Sequence, residues 1–366
     1  MDVVLTRSAQ EFVGAVTFEA LTGRPVHTAL IAAGHALDHI KLARAADVVV
    51  VAPATADFLA RAAAGQADDL LSACLLATTA PVLLVPAMND RMWAHPQTTR
   101  NAAHLSALGY TVLDPDVGEL AVGEGSGAGR MPEPETIVAH TGRLLEPQGR
   151  LTGRQVLVTA GPTREALDPV RFISNRSSGK MGVALAQAAW RRGAHVTLVS
   201  GPLGVETPVG VRVVPVETAA EMHEAVASAL PQADVLVMAA APSDFRPESA
   251  AEHKIKKAAA PGHIALSPTA DILASTVAQR GPGTIVVGFA LETENVIDNA
   301  RAKLAAKALD LMVVNDATEP GAGFEVDTNR VTLLAAGRAA EALPLMSKTD
   351  VADAILDRVE GMIDGS

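Results

Sequence analysis

From Val156 to Gly182 the chain reads VLVTAGPTREALDPVRFISNRSSGKMG, an apolar run that breaks at Gly161-Pro162, a long polar loop, and a helix that opens near Lys180. That order is a strand, a phosphate-sized loop and a helix start. The loop lacks the first glycine of a GxxxxGK[ST] phosphate loop, and Met181 stands where that motif needs a hydroxyl, so this is not a standard P-loop. Ser177, Ser178 and Gly179 can still turn backbone N–H groups toward an anion at the helix N-terminus. A connection this long and this polar points to function rather than to a plain turn.

A chain of 366 residues exceeds one ordinary core and suggests two domains, and at 49% apolar residues both can bury one. Aromatics make up only 3%, while alanine is abundant, which favours helices packed closely on sheets over a stacking surface. The net charge of -11 argues against general binding to nucleic acid or to anionic membranes. The one cysteine, Cys74, lies in the apolar run LLSACLLA and reads as a buried thiol; no disulfide is possible within the chain, which fits a reducing compartment. No apolar run is long enough to span a bilayer, and the N-terminus lacks the layout of a signal peptide. The expectation is a soluble, cytoplasmic protein.

In the first half, Val3 to Leu5 reads as a short strand, Thr6-Arg7-Ser8 as a helix cap, and an amphipathic helix continues to about Leu21. His39 lies just ahead of a helix-like stretch. Val48 to Val51 is an unbroken apolar run of the kind found in parallel strands covered on both faces; Pro53 ends it, and Ala54-Thr55-Ala56 turns into the next helix. After a helix with Asp68, Asp69 and Cys74, PVLLVPAMNDRMW gives a strand, a turn carrying Asn89, and an aromatic. If both strands are parallel, Val51 and Val85 end on one sheet edge, where doubly wound folds bind ligands. Taken singly, His39 suits a surface helix and Asn89 a turn. VGEGSGAGRM is a glycine-rich loop, and Glu146 to Arg154, with Pro147 and two glycines, reads as a linker.

The second half alternates again, with strands expected at 155–160, 195–199, 211–215, 234–240, 284–289 and 311–315. Helices are expected at about 180–192, 218–229, 269–280 and 294–308. The class is α/β, an open and mostly parallel sheet with helices on both faces. Asp244 follows the strand VLVMAA, and Lys254-Ile255-Lys256-Lys257 comes ten residues on. Such a lysine run, taken alone, suits a solvated loop. Lys303 and Lys307 lie one helical turn apart and share a face. An acidic domain that gathers lysines near strand ends builds an anion site; triphosphate is the natural guess, with Asp244 available to a bridging Mg2+. The sequence names no set of metal ligands beyond that.

With these residues in hand, the chain resembles the bifunctional phosphopantothenoylcysteine decarboxylase/phosphopantothenate–cysteine ligase family of coenzyme A biosynthesis. The second half carries TAGPTREALDPVRFISNRSSGKMG, SDFRP around Asp244, KIKK, VVGFALET and the Lys303/Lys307 pair in the family's order. The first half carries APATADFLARAAAGQADDLLSACLLA, PAMNDRMW and GAGRM. The resemblance implies a flavodoxin-like flavoprotein decarboxylase domain over 1–146, a linker at 147–153 and a Rossmann-like ligase domain over 154–366, both doubly wound. It implies a ligase that joins 4'-phosphopantothenate to cysteine with CTP through an acyl-cytidylate. By the resemblance Lys254, with Lys303 and Lys307, would neutralise the phosphates. Asp244, Ala270, Asp271, Ile272, Leu273 and Phe289 would hold the nucleotide, and Asn175 would orient the acyl-cytidylate. It further implies FMN-dependent decarboxylation of 4'-phospho-N-pantothenoylcysteine to 4'-phosphopantetheine, with His39 as base, Asn89 on the substrate carboxylate, and Thr6 and Thr55 at the flavin. A homo-oligomer is implied as well.

Three departures stand out. The family pattern opens with a further strand and glycine-rich loop, on the order of 30 residues, that this sequence does not contain. Ala121-Val122-Gly123 replaces an ACG motif, and valine cannot act as the acid that cysteine would be. Thr269-Ala270-Asp271 replaces Asn-Pro-Asp at the cytosine contact. Rival readings are a ligase on a scaffold flavodomain and a non-catalytic flavin- or nucleotide-binding regulatory subunit; the full set of ligase motifs argues against the latter for the second half. A nicotinamide dehydrogenase fails for want of a GxGxxG turn followed by an acidic residue.

Overall fold

Successive residues of a strand point to opposite faces, and a strand apolar at every position needs cover on both. The computed structural model, which describes residues 1–31, 37–123, 125–146, 149–256, 262–292, 296–316 and 326–363, shows that cover in each half of the chain. Lys257 of the lysine run, and Pro147 and Gln148 of the expected linker, lie outside the described residues. Contacts gather into two units, Met1–Glu146 and Pro147–Ser366.

In the first unit, β1 (Val3–Val4) and β2 (Val26–His27) pair in parallel, and β3 (Val49–Ala54), β4 (Val82–Pro86) and β5 (Thr111–Val112) form a second parallel sheet. The helices are α1 (Ala15–Thr22), α2 (Asp38–Ala45), α3 (Ala56–Ala63), α4 (Leu70–Ala77), α5 (Asp90–Trp93), α6 (Pro96–Ala107) and α7 (Pro134–Leu145). Val82 and Leu84 of β4 pack with Phe58 and Leu59 of α3 and Leu105 of α6. Leu83 and Val85 face the other way, toward Ile137 and Leu144 of α7. A hairpin, β6 (Asp116–Glu119) with β7 (Ser126–Arg130), carries the glycine-rich loop.

Two expectations fail here. The single helix through Leu21 is instead a short turn at Ala9–Glu11 and then α1, with extended Gly14 between them, because glycine breaks the run. Pro53 does not end its strand. The pairing of β3 with β4 shifts register between Val51 and Ala54, and the Ala52–Pro53 bond is cis. Among the described residues β3 pairs only with β4, so a proline is tolerated at this edge; Val50 stays 37% exposed rather than covered.

The second unit is built on eight strands. They are β8 (Gln155–Ala160), β11 (His195–Ser200), β12 (Arg212–Pro215), β13 (Val235–Met238), β16 (Ile285–Glu292), β17 (Leu311–Asp316), β19 (Val331–Ala335) and β20 (Glu341–Ala342). Short pairs fill the numbering: β9 (Arg164–Ala166) with β10 (Phe172–Ser174), β14 (Phe245–Pro247) with β15 (Leu266–Pro268), and β18 (Thr328–Asn329) with a two-residue strand at Met346–Ser347. The spatial order is β12-β11-β8-β13-β16-β17-β19-β20, parallel through β17 and antiparallel beyond. The chain runs outward from β8 in one direction and then resumes at β13 on its other side. The carboxyl ends of β8 and β13 are therefore the switch point, the edge at which doubly wound sheets bind ligands.

Helices α9 (Ala219–Ala229), α10 (Ile272–Ser275) and α11 (Val296–Ala306) bury one face around Leu157, Leu236, Val286 and Met312. α8 (Lys180–Arg191) packs on β8 and β11 and against α12 (Lys348–Ile363). Gly182 permits that approach: a Cβ there would lie 2.5 Å from Ala160 Cβ. The helix expected over 269–280 is broken into α10 and a 3-10 turn at Val277–Gln279. Ser275 and Thr276 hydroxyls turn back onto the carbonyls of Asp271 and Ile272, a bond that competes with helix continuation. Among the described residues no helix is long and apolar enough to cross a membrane.

Candidate functional site at the carboxyl edge of the second sheet

The switch point is closed by hydrogen bonds between the loops that leave β8 and β13. Ala241 N–H donates to Gly161 O at 2.9 Å, Ser243 N–H to Thr163 Oγ1 at 2.9 Å, and Asn175 Nδ2 to the carbonyls of Ala241 and Pro242 at 3.2 and 2.9 Å. Asn175 is thus held across the crevice by two main-chain acceptors. Gly179, at φ 79°, opens α8 beside it without any side-chain cap, leaving the helix N-terminus to its own amides.

The nucleotide candidates arrive on the next loops. Asp244 is exposed, and its carbonyl accepts from Thr269 N–H at 2.9 Å, while Thr269 Oγ1 donates to Ser243 O at 2.5 Å. Ala270 is exposed; Asp271 caps α10 by accepting from Ala274 N–H; Ile272 and Leu273 are buried. Asp271 also pairs with Lys307 Nζ at 2.9 Å. Partial burial works against the Asp271 charge, but the ammonium and the amides of Ala274 and Leu273 outweigh it and hold the carboxyl below its usual range. Phe289 lies half-buried on β16, next to Gly288, where a Cβ would lie 3.6 Å from Leu273. Lys303 is exposed on α11, and its carbonyl accepts from Lys307 N–H.

Lys254 is exposed and is tied to the first loop through its neighbour. Asp168, buried, accepts from the amides of Val170, Arg171 and Ile255, and from Arg171 Nε and Nη2; Arg171 Nη2 in turn donates to Ile255 O at 2.9 Å. The Arg171 guanidinium and those amides hold the Asp168 carboxyl far below its ordinary value despite burial. This clasp was not read from the sequence, although Asp168 and Arg171 both lie in the motif quoted around it. The acid and base sit three residues apart, and their partner Ile255 lies 84 positions beyond Arg171.

In the first unit, β3 and β4 run parallel with Val51 opposite Leu84, and both strands feed candidate residues. Thr55 caps α3 through Phe58 N–H at 3.2 Å, and Asn89 caps α5 through Arg91 N–H at 2.9 Å. Thr6 accepts from Ala9 N–H at 3.2 Å. His39 is the second residue of α2, and its Nδ1 is buried without a hydrogen-bond partner among the described residues. A buried polar atom left unpaired is costly, so this nitrogen suits a site completed by a bound group, which fits a flavin and its substrate. Val122 projects fully into solvent. Among the described residues no three His, Cys, Asp or Glu side chains group to hold a metal ion. A cavity of about 340 Å³ lies between the sheet and α9, lined by Gln155, Leu157, Thr197, Val214 and Ala229, and holds none of the candidate residues.

Comparison with known proteins matches both units. A family described as the DNA/pantothenate metabolism flavoprotein C-terminal domain covers residues 151–362, and one described as Flavoprotein covers residues 1–146. The "Coenzyme A biosynthesis bifunctional protein CoaBC" of Mycobacterium tuberculosis (strain ATCC 25618 / H37Rv) is 50% identical over 378 residues, spanning 99% of this chain and 90% of that protein. Its counterpart in Bacillus subtilis (strain 168) is 44% identical over 365 residues, spanning 98% and 89%. The crystal structure of the C-terminal domain of a CoaBC protein is 39% identical, with a TM-score of 0.50, and covers 59% of this chain and 98% of its own. The chain therefore belongs to the family of coenzyme A biosynthesis bifunctional proteins, with a flavoprotein unit followed by the family's C-terminal unit.

Proposed function

We propose that residues 154–366 ligate cysteine to 4'-phosphopantothenate at the expense of CTP, and that residues 1–146 decarboxylate the product, 4'-phospho-N-pantothenoylcysteine, to 4'-phosphopantetheine. Two observations carry the ligase reading: Asn175 spans the switch point, and Lys307 pairs with Asp271 among the nucleotide candidates. A carboxylate is a poor electrophile. Its oxygen attacks the α-phosphorus of CTP, the bond to pyrophosphate breaks, and the acyl-cytidylate then loses CMP as the cysteine amine forms the amide. Crowded phosphate charge must be neutralised in the first step, a task for Lys254, Lys303 and Lys307, with Mg2+ entering as the counter-ion of the triphosphate. Asp244, Ala270 to Leu273 and Phe289 form the nucleotide's seat, and Asn175 orients the acyl group for the amine.

In the first unit His39 serves as base and Asn89 as carboxylate ligand, with Thr6 and Thr55 at the FMN. Bound FMN supplies reversible two-electron redox chemistry that makes loss of CO2 feasible. Val122 has no proton to give, so protonation falls to another donor. The assembly is a homo-oligomer, a reading supported by α1, which buries none of its residues and leaves Val16 and Leu21 about three-quarters exposed, at 75% and 76%. Mixing the protein with CTP, Mg2+, phosphopantothenate and cysteine releases pyrophosphate. Lys254→Gln lowers kcat at least about a hundredfold, as loss of a charge-stabilising group does. Release that survives the substitution unchanged removes Lys254 from the chemistry.

A further inference from the structure

Arg280 lies outside every motif that points to the nucleotide, yet its guanidinium gathers the backbone of two segments that do. Nη2 donates to Leu273 O at 2.9 Å and to Lys307 O at 3.0 Å, and Nη1 donates to Ala308 O at 2.6 Å. The first carbonyl belongs to α10, which Asp271 caps, and the other two lie just past the end of α11, one turn beyond Lys303. Those are the carbonyls a helix leaves without partners, at the end where its dipole favours a cation. Asp310 adds attraction from nearby, although burial lowers the arginine's pKa.

The turn being held is unusual. Ala308 adopts φ 48°, a left-handed conformation that residues with a side chain rarely take, and Leu309 N–H closes the turn onto Leu304 O at 3.0 Å. The turn directs Lys307 onto Asp271 at 2.9 Å. Residues in such conformations persist where their surroundings over-determine them. A planar fork with five donors can bridge three carbonyls at once, which an ammonium on a flexible stem cannot do in the same way.

Resting on the CTP reading above, we propose that Arg280 is a positioning residue for the nucleotide. It locks the start of α10, Asp271–Leu273, and the Lys307 turn into one rigid half of the CTP site, without touching the nucleotide itself. A role in stability alone would leave the kinetic constants of a folded variant unmoved, whereas a positioning role acts on CTP and spares the other substrates.

The test uses the full chain and the pyrophosphate-release assay, with each substrate varied in turn. Arg280→Ala raises the KM for CTP about tenfold, the loss expected for hydrogen bonds made by a charged donor, while the KM for cysteine stays within about twofold. Arg280→Lys restores part of the CTP affinity. Should Arg280→Ala not fold, as judged by circular dichroism, Arg280→Lys is measured alone: a raised KM for CTP supports the role, and an unchanged one overturns it. An equal rise for all three substrates in a folded variant also overturns it. If the unaltered protein releases no pyrophosphate from CTP, the ligase reading itself falls and this role with it. Release by the unaltered protein with an unmoved CTP KM in both variants removes the positioning role only.

Discussion

Ala308, at φ 48°, is the one residue other than glycine with a positive φ among the described residues. Left-handed backbone costs a residue with a Cβ about 1–2 kcal/mol, part of which glycine returns through its greater freedom when unfolded. Ala308→Gly therefore raises stability by up to about 1 kcal/mol, read as a higher urea midpoint with an unchanged slope. A lower midpoint would mean that the methyl group makes contacts worth more than the strain. Cys74 behaves as its apolar run suggested: it is 5% exposed, and burial, helped by Asp69, pushes its thiol up to about 11. At neutral pH it is a protonated packing group rather than a nucleophile. His39 is the opposite case, because its identity as a candidate was readable but its unpartnered Nδ1 was not.

At the scale of elements, the β9–β10 hairpin and the lysine-bearing segment after β14 are joined by Asp168. The carboxyl of Asp168 has a folded pKa well below its ordinary value of 3.8. A depressed carboxyl contributes stability that is complete above the unfolded pKa and is lost as pH falls through the folded one. Asp168→Asn should accordingly lower the thermal midpoint at pH 7, with the difference shrinking as pH falls below the ordinary carboxylate value and closing only once it passes the much lower folded one. A constant difference down to acid pH would show that the loss is steric rather than electrostatic. Ile255 N–H and O both belong to this clasp, so the variant should also loosen the segment that presents Lys254. The broken helix at 269–280 follows the same logic of local bonds. Period and composition favoured one helix, but Ser275 and Thr276 returned their hydroxyls to the first turn, and the chain passed through a 3-10 turn into β16 instead.

For the whole molecule, sedimentation velocity followed in the visible flavin band tests cofactor and assembly together. The expected boundary is coloured and heavier than the 37.7 kDa of one chain. A colourless boundary would remove FMN from the first unit, and a coloured one at 37.7 kDa would remove the oligomer. Most of the second sheet could be read in advance: expected strands at 195–199 and 311–315 became His195–Ser200 and Leu311–Asp316. Alternation of apolar runs with helical periods is a local property, set by where neighbouring side chains point. The sequence by itself thus determined that this is an α/β chain and, through its motifs, which residues cluster in the family's pattern. Only the tertiary structure decided that β13 lies beside β8, that Asn175 spans the gap between them, and that Arg280 meets Leu273 and Lys307. Those contacts join residues separated by up to 79 positions, and no local preference encodes which distant partner a residue will meet until burial has brought the segments together.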